Sequence, residues 1–123
     1  MKFIQLFLAV LFCLVIVSAN HIKDATIELK QIGSWMENNH AVTQYSATII
    51  NHKNQVLKSI NIATDSTFCL NDSTSFWNIE RLSNGDLVLP VGQPTIAAQS
   101  SYTFYFILKG STQPFLHVMS VVY

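Results

Sequence analysis

Apolar and polar residues alternate with a period of two along most of this chain, and no stretch shows the longer apolar period of an amphipathic helix. The strand-like runs cover residues 26–30, 43–49, 58–62, 75–82, 87–90, 102–109 and 115–123. The polar turns and loops between them include residues 36–40, 51–55, 64–75 and 83–86. The turn Ser83-Asn84-Gly85-Asp86 is the strongest, because Asn-Gly accepts positive φ at low cost. This pattern predicts an all-β fold, an antiparallel β-sandwich of about seven to eight strands.

The first 19 residues have the composition of a secretory signal peptide. Met1-Lys2 supplies a positive start, residues 3–17 are almost entirely apolar, and Val17-Ser18-Ala19 places compact residues at the cleavage position. The apolar run is a little short for a membrane span, which needs ~20 apolar residues. The alternative to a cleaved signal peptide is an uncleaved membrane anchor. We predict cleavage after Ala19, secretion, and a single mature domain at residues 20–123.

The net charge of the predicted mature domain limits its partners. The 123-residue chain has seven Lys/Arg and seven Asp/Glu, and the predicted signal peptide contains only Lys2 among them. Nucleic acids and anionic membranes select clustered Lys and Arg, which a near-neutral domain does not supply. We therefore expect an uncharged ligand, no nucleic acid, and no membrane contact after signal cleavage.

Cys69 is the one cysteine that remains when Cys13 leaves with the signal peptide, so no disulfide within the chain is possible. One interpretation is a small buried apolar residue between Phe68 and Leu70. The other is an intermolecular disulfide in an oxidising compartment. Asn71-Asp72-Ser73 follows directly and is an acceptor sequence for glycosylation, which predicts a surface loop with a glycan at Asn71.

The sequence lacks the patterns typical of a catalytic or metal centre. No histidine has the short spacing to another His or Cys that zinc sites use, and no serine lies in Gly-x-Ser-x-Gly. A glycosidase would need two convergent carboxylates, but the acidic residues fall mostly in turns or at outward strand positions. These residues are Glu28, Glu37, Asp65, Asp72, Glu80 and Asp86. We therefore expect no enzyme activity, no metal and no cofactor.

Trp35 and Trp77 are the residues best suited to a binding surface. A flat indole can stack on the apolar face of a sugar ring, while neighbouring Asn, Gln and Ser hydrogen-bond its hydroxyls. Trp35 follows Gly33-Ser34 at a strand end, beside a polar turn. Trp77 is compatible with either a surface or a core position, because sandwiches often bury one tryptophan and Phe76 and Ile79 surround it.

Short motifs along the predicted mature domain resemble carbohydrate-binding module family 49 in their order and spacing. The motifs are Gly33-Ser34-Trp35, Gln44-Tyr45-Ser46, Thr48-Ile49-Ile50-Asn51, Leu57-Lys58-Ser59-Ile60, Phe76-Trp77-Asn78-Ile79, Ser83-Asn84-Gly85, Val88-Leu89-Pro90 and Ser101-Tyr102-Thr103-Phe104. The family resembled is an all-β sandwich that binds cellulose, found in plant family 9 endoglucanases and in secreted proteins of social amoebae. The resemblance implies a non-catalytic module that binds cellulose or a related β-glucan, in an extracellular matrix, wall or coat.

By position, the resemblance places Trp35 and Trp77 where the family has its binding-surface tryptophans. Tyr45 is a further candidate for carbohydrate contact, although its strand phase favours the core. Two aromatic positions of the family differ here, since Val42-Thr43 replaces a tyrosine-rich hairpin and Gly92 replaces a tryptophan. The alternative function is a structural or adhesive matrix protein of the same fold that binds a protein partner.

Overall fold

The computed structural model describes residues 24–123, and the predicted signal peptide lies outside them. Eight strands are present: β1 (Ala25–Glu37), β2 (His40–Asn51), β3 (Ser59–Ala63), β4 (Phe76–Trp77), β5 (Glu80–Arg81), β6 (Leu87–Val88), β7 (Ser101–Lys109) and β8 (His117–Val122). They form two four-stranded sheets, in the orders β1-β2-β7-β4 and β5-β6-β3-β8, and every pairing is antiparallel. The predicted β-sandwich is thus confirmed. Among the described residues, no helix has the length and apolar character that a membrane crossing requires.

β1 and β2 form a long hairpin closed by Asn38-Asn39. Both asparagines have positive φ, 49° and 66°. Positive φ at both central residues is the type I′ geometry, whose twist matches that of the flanking strands. The turn predicted at residues 36–40 is therefore present, but β1 continues to Glu37, past the predicted strand end at residue 30. It does so because it pairs with β2 along its whole length.

β7 supplies the centre of the core between the two sheets. Phe104, Phe106 and Leu108 alternate inward along this strand and are buried. The ring centroid of Phe106 lies 4.9 Å from that of Phe68, 5.5 Å from that of Tyr45 and 5.9 Å from that of Phe104. Aromatic side chains bury more apolar area than any other, so this cluster contributes much of the stability of the first sheet.

The second sheet closes the core with aliphatic side chains. Ile60 and Ile62 of β3 and Leu87 of β6 are buried against the aromatic cluster. β8 begins at His117, two residues after the predicted start. It ends next to β1, where the Tyr123 hydroxyl donates a hydrogen bond to the backbone carbonyl of Asp24 at 3.0 Å.

Asn51 joins three chain segments at the end of β2. Its side chain is 1% exposed, and its amide nitrogen donates to the backbone carbonyls of Gln55 (2.8 Å), Ala97 (3.1 Å) and Ile96 (3.3 Å). Its amide oxygen accepts from the backbone N–H of Lys53 at 3.0 Å. A buried polar side chain is stabilising when its partners are complete, as here. This junction fixes where the chain enters β7.

Cys69 is exposed. The interpretation of Cys69 as a buried apolar residue is therefore wrong. Its neighbours Phe68 and Leu70 pack on the core, and the alternation of an extended segment turns the side chain between them outward.

Candidate functional site

The outer face of the first sheet carries both tryptophans, and we call it the tryptophan face. Directly opposed residues of antiparallel strands share a face, so the strand registers define its rows. The first row is Trp35, Val42 and Lys109; the second is Gly33, Gln44 and Ile107; the third is Lys30, Ser46, Tyr105 and Trp77. The two indoles therefore lie on one surface, although they are distant in sequence.

A β-bulge in β1 determines which face Trp35 occupies. In a regular strand Trp35 would share the inward phase of Leu29. The register with β2 shifts between Gln31 and Gly33, and Ile32 between them has no partner. One extra residue reverses the face of every side chain that follows it. The bulge therefore turns Trp35 onto the outer face, where 39% of the residue is exposed.

Gly33 provides the surface on which the Trp35 indole rests. A Cβ atom at position 33 would lie 3.6 Å from Cζ3 of Trp35 and 4.0 Å from Oε1 of Gln44. The indole thus leans back over Gly33, and the Gln44 carboxamide lies beside the same position. An exposed aromatic ring next to an amide offers both apolar stacking and hydrogen bonding to one ligand.

Trp77 lies on β4, a two-residue strand on the opposite edge of the sheet. Its neighbour Phe76 opposes Phe106 and packs inward on the core, while Trp77 opposes Tyr105 on the outer face. Asn78 ends the strand with φ of 66°, and its carbonyl accepts a hydrogen bond from the Tyr102 hydroxyl at 2.8 Å. Trp77 is 46% exposed, which resolves its ambiguous assignment in favour of the surface.

Tyr45 does not belong to the tryptophan face. It is 3% exposed and faces inward against Phe106, and burial raises the pKa of its hydroxyl. The prediction that Tyr45 contacts carbohydrate is wrong in this structure, because alternation along β2 directs its ring between the sheets. The strand phase that favoured the core was the correct signal.

Tyr105 is the aromatic residue that the sequence analysis did not select. It faces outward on β7, directly opposite Trp77, and is half-buried. Its position could have been found from the alternation of β7, since Tyr105 has the opposite phase to the buried Phe104 and Phe106.

The two family positions that lack aromatic side chains lie in different places. Val42 faces outward beside Trp35, whereas Thr43 faces inward and donates a hydrogen bond to the Gly110 carbonyl at 2.7 Å. Gly92 belongs to the loop after β6, next to Val91 and Pro94, which line a groove of about 510 Å³ on the second sheet. Val42 shares the row of Trp35 but is fully buried, so neither position adds to the exposed tryptophan face.

Cys69 and Asn71 border the tryptophan face along the edge of β7. The Cys69 carbonyl accepts from the Lys109 N–H at 2.8 Å, and the Asn71 N–H donates to the Ile107 carbonyl at 2.9 Å. The Asn71 side-chain amide donates to Glu37 at the tip of the β1–β2 hairpin, at 2.7 Å. Glycosylation of Asn71 and disulfide formation by Cys69 stay predictions.

The acidic side chains serve local structure in several turns. Hydrogen bonds from Thr67 hold the pKa of Asp65 below its usual range, and those from Thr74 do the same for Asp72. Asp86 accepts from the Asn61 side-chain amide at 2.8 Å. Within residues 24–123, no group of three or more His, Cys, Asp or Glu side chains is arranged to hold a metal ion.

The fold and this face define the class of a carbohydrate-binding β-sandwich, and comparison with known proteins identifies the family. The profile of the carbohydrate binding domain CBM49 matches residues 25–109. Two curated proteins of Dictyostelium discoideum are similar over 107 residues, 83% of this chain and 68% of theirs. They are stalk-specific protein A, at 43% identity, and stalk-specific protein B, at 40%. The chain belongs to the CBM49 family.

Solved structures show the same fold within larger proteins. Two structures of a GH20 exo-β-N-acetylglucosaminidase from Vibrio harveyi, one of them the D437A inactive mutant, superimpose with TM-scores of 0.54 and 0.55. Sequence identity is 15%, and the match covers 77% of this chain but 17% of the enzyme chain. This likeness concerns the fold alone.

Proposed function

We propose that this protein is a secreted, non-catalytic module that binds cellulose or a related β-glucan. Membership of the CBM49 family makes it a carbohydrate-binding domain. The observation that carries the proposal is the presence of Trp35 and Trp77 on one outer sheet face, each more than one-third exposed. Exposed indoles at fixed positions are the groups that stack on pyranose rings.

The charge and the relatives support an extracellular role. Cleavage after Ala19 would leave a near-neutral domain of residues 20–123, suited to an uncharged polysaccharide. The two relatives are named for a stalk. We place this protein in an extracellular matrix, wall or coat, where a module without a catalytic centre holds or coats polysaccharide.

Retention on microcrystalline cellulose tests the proposal. The secreted mature protein is mixed with cellulose and sedimented, and the unbound fraction is measured. We expect retention of the wild type and its loss in the double variant Trp35→Ala/Trp77→Ala. Phe115→Ala is the matched control, because Phe115 is an aromatic residue that is even more exposed (60%) and precedes β8 of the second sheet. If all three proteins are retained equally, the tryptophan face is excluded as the binding site for cellulose.

A second candidate function is a structural or adhesive protein that binds a protein partner through the same fold. The observation that favours it is the exposure of Cys69 in a chain predicted to enter an oxidising compartment. This function predicts a disulfide-linked dimer of secreted material on a non-reducing gel, absent from a Cys69→Ser variant. If both samples are monomeric and the wild type is retained on cellulose, the second candidate function is excluded and the first proposal is supported.

A further inference from the structure

The two sheets have four edge strands, and β1 is the one with a long, regular free edge. β4 and β5 have two residues each, and the six residues of β8 are interrupted at Met119, which has no partner in β3. Short or bulged edges resist pairing with another strand. β1 has 13 residues, and its register with β2 is unbroken from Ala25 to Gln31. We call this segment the β1 edge.

Alternate residues of the β1 edge direct their backbone groups away from β2. The Asp24 carbonyl accepts from the His52 N–H at 2.9 Å, so the ladder with β2 uses the even-numbered residues of this segment. Ile27, Leu29 and Gln31 therefore point N–H and C=O groups outward. Apart from the ladder with β2, the β1 edge makes no backbone hydrogen bond to the rest of the described chain. Such a row of donors and acceptors is a template for an added strand.

The charges on the β1 edge select a second copy of this chain as the added strand. Glu28 and Lys30 are exposed and flank Leu29 on the outer face. In an antiparallel pair of identical strands centred on Leu29, Glu28 of each copy lies directly opposite Lys30 of the other. A pair centred on Glu28 or on Lys30 would place like charges opposite each other. A pair centred on Ile27 would oppose Lys30 to Asp24, whose carboxylate is already in a salt bridge.

We infer that two copies of this chain pair antiparallel through β1, about a two-fold axis at Leu29. The pairing joins their two four-stranded sheets into one. Backbone hydrogen bonds link Leu29 to Leu29 of the second copy, and Ile27 to Gln31 of the second copy. On the inner face, the half-buried side chains of Ile27 and Leu29 gain apolar cover from the added strand.

This pairing does not depend on the proposed function, but it has a consequence for it. Because the two-fold axis is perpendicular to the sheet, the tryptophan faces of both copies lie on the same side. A dimer that contacts an insoluble surface with both faces is retained more strongly than a monomer, since its second contact is intramolecular. The paired segment is short, so we expect a weak, concentration-dependent dimer.

Sedimentation velocity of the secreted mature protein, without carbohydrate, tests the pairing. A thiol reductant is present throughout, so that a disulfide through Cys69 cannot contribute to association. We expect the wild type to shift from monomer to dimer with rising concentration, with a dissociation constant on the order of 10–100 μM.

Reversal of the two charges tests the register. Glu28→Lys and Lys30→Glu each place like charges opposite each other twice per dimer, so each should weaken association by at least about tenfold. The double variant Glu28→Lys/Lys30→Glu makes the charges complementary again and should return to within about threefold of the wild type. Met119→Lys is the control on the β8 edge and should stay within about twofold of the wild type. All three residues are exposed, and thermal unfolding checks that each variant is folded.

The outcomes separate this inference from the proposed function. A wild type that stays monomeric up to about 1 mM would overturn the inference while retention on cellulose is unaffected. Loss of the dimer in Met119→Lys, with no loss in the β1 variants, would assign the pairing to β8 and overturn it as well. A double variant as weak as the single ones would exclude the pairing centred on Leu29, whereas its recovery supports that pairing.

Discussion

Asn51 gives a direct test of how the first sheet is held in place. Its amide nitrogen faces three backbone carbonyls, so both N–H groups are committed to acceptors, and its oxygen is committed to the Lys53 N–H. Asn51→Asp has almost the same shape but replaces the donating nitrogen with an oxygen. The variant therefore changes the hydrogen-bond chemistry of the junction and leaves its packing intact.

The pKa of the new carboxyl group sets the size of the effect. An ionised carboxylate that is buried against carbonyl oxygens is disfavoured, so its pKa in the folded state should rise well above the ~3.9 of an unfolded chain. The protonated carboxyl group restores one of the two donors, so the free energy of unfolding falls by only about 1–2 kcal/mol in this form. If the pKa rises by about three units, the free energy of unfolding falls by about a further 4 kcal/mol at a pH where the carboxyl group must ionise.

The sign of the pH dependence follows from the raised pKa. Between the unfolded and folded pKa values the folded variant binds more protons than the unfolded chain, so its free energy of unfolding falls as the pH rises. We expect the Asn51→Asp variant to be folded near pH 4. At pH 7–8 its free energy of unfolding should be about 5 kcal/mol lower than that of the wild type. That is much of the stability of a domain of this size.

Urea unfolding between pH 4 and pH 8, followed by tryptophan fluorescence, measures this effect. Asn54→Asp is the matched control, because Asn54 is exposed in the neighbouring turn and the same substitution there should change the free energy of unfolding by no more than about 0.5 kcal/mol. A flat pH profile for Asn51→Asp, within about 1 kcal/mol of the wild type, would refute the assigned hydrogen bonds.

Three further perturbations test the site and the core. Trp35 and Trp77 are 39% and 46% exposed. At about 25 cal/mol per Å² of apolar area, each single alanine variant should lose about 1–3 kcal/mol of binding free energy, measured from cellulose isotherms. If the affinity of either variant falls by less than about twofold, that ring is excluded from the site. Deletion of Ile32 should leave retention intact, because the hairpin turn keeps Gly33 and Trp35 in register with β2; lost retention in a folded deletion variant would contradict this. Phe106→Ala should cost about 3–5 kcal/mol in urea unfolding, since Phe106 contacts three other rings; a cost below 1 kcal/mol would contradict its central place.

Local sequence patterns predicted the sandwich because the strands that form the core alternate cleanly. Phe104 and Phe106 share one phase of β7, and Ile60 and Ile62 share one phase of β3. The side that each strand buries follows directly from such a pattern. The burial of Tyr45 follows from the same rule, so its assignment to the site was the error that local reasoning could have avoided.

The orientation of Trp35 depends on a non-local feature. Its phase relative to Leu29 predicts an inward side chain, and only the unpaired Ile32 reverses it. The bulge exists because the Asn38-Asn39 turn fixes one end of the hairpin register while the inward residues of β1 fix the other. The turn and the inward residues of β1 each set a pairing with β2, and the two pairings are offset by one residue. Ile32 is the residue left unpaired between them, and no short segment of sequence around Ile32 contains both constraints.

We expect binding and stability to be separable in this architecture, because the proposed site and the core lie on opposite faces of the same sheet. Phe76 and Phe106 oppose each other on the inner face, and their immediate neighbours Trp77 and Tyr105 oppose each other on the outer face. The inner pair holds β4 against β7, and β4 in turn fixes the position of the Trp77 indole. Substitution of the outer residues should therefore remove ligand contacts without unfolding the domain, whereas loss of the inner pair should remove both. This dependence of the face on the core explains how the fold holds two exposed indoles in fixed positions on an open sheet surface.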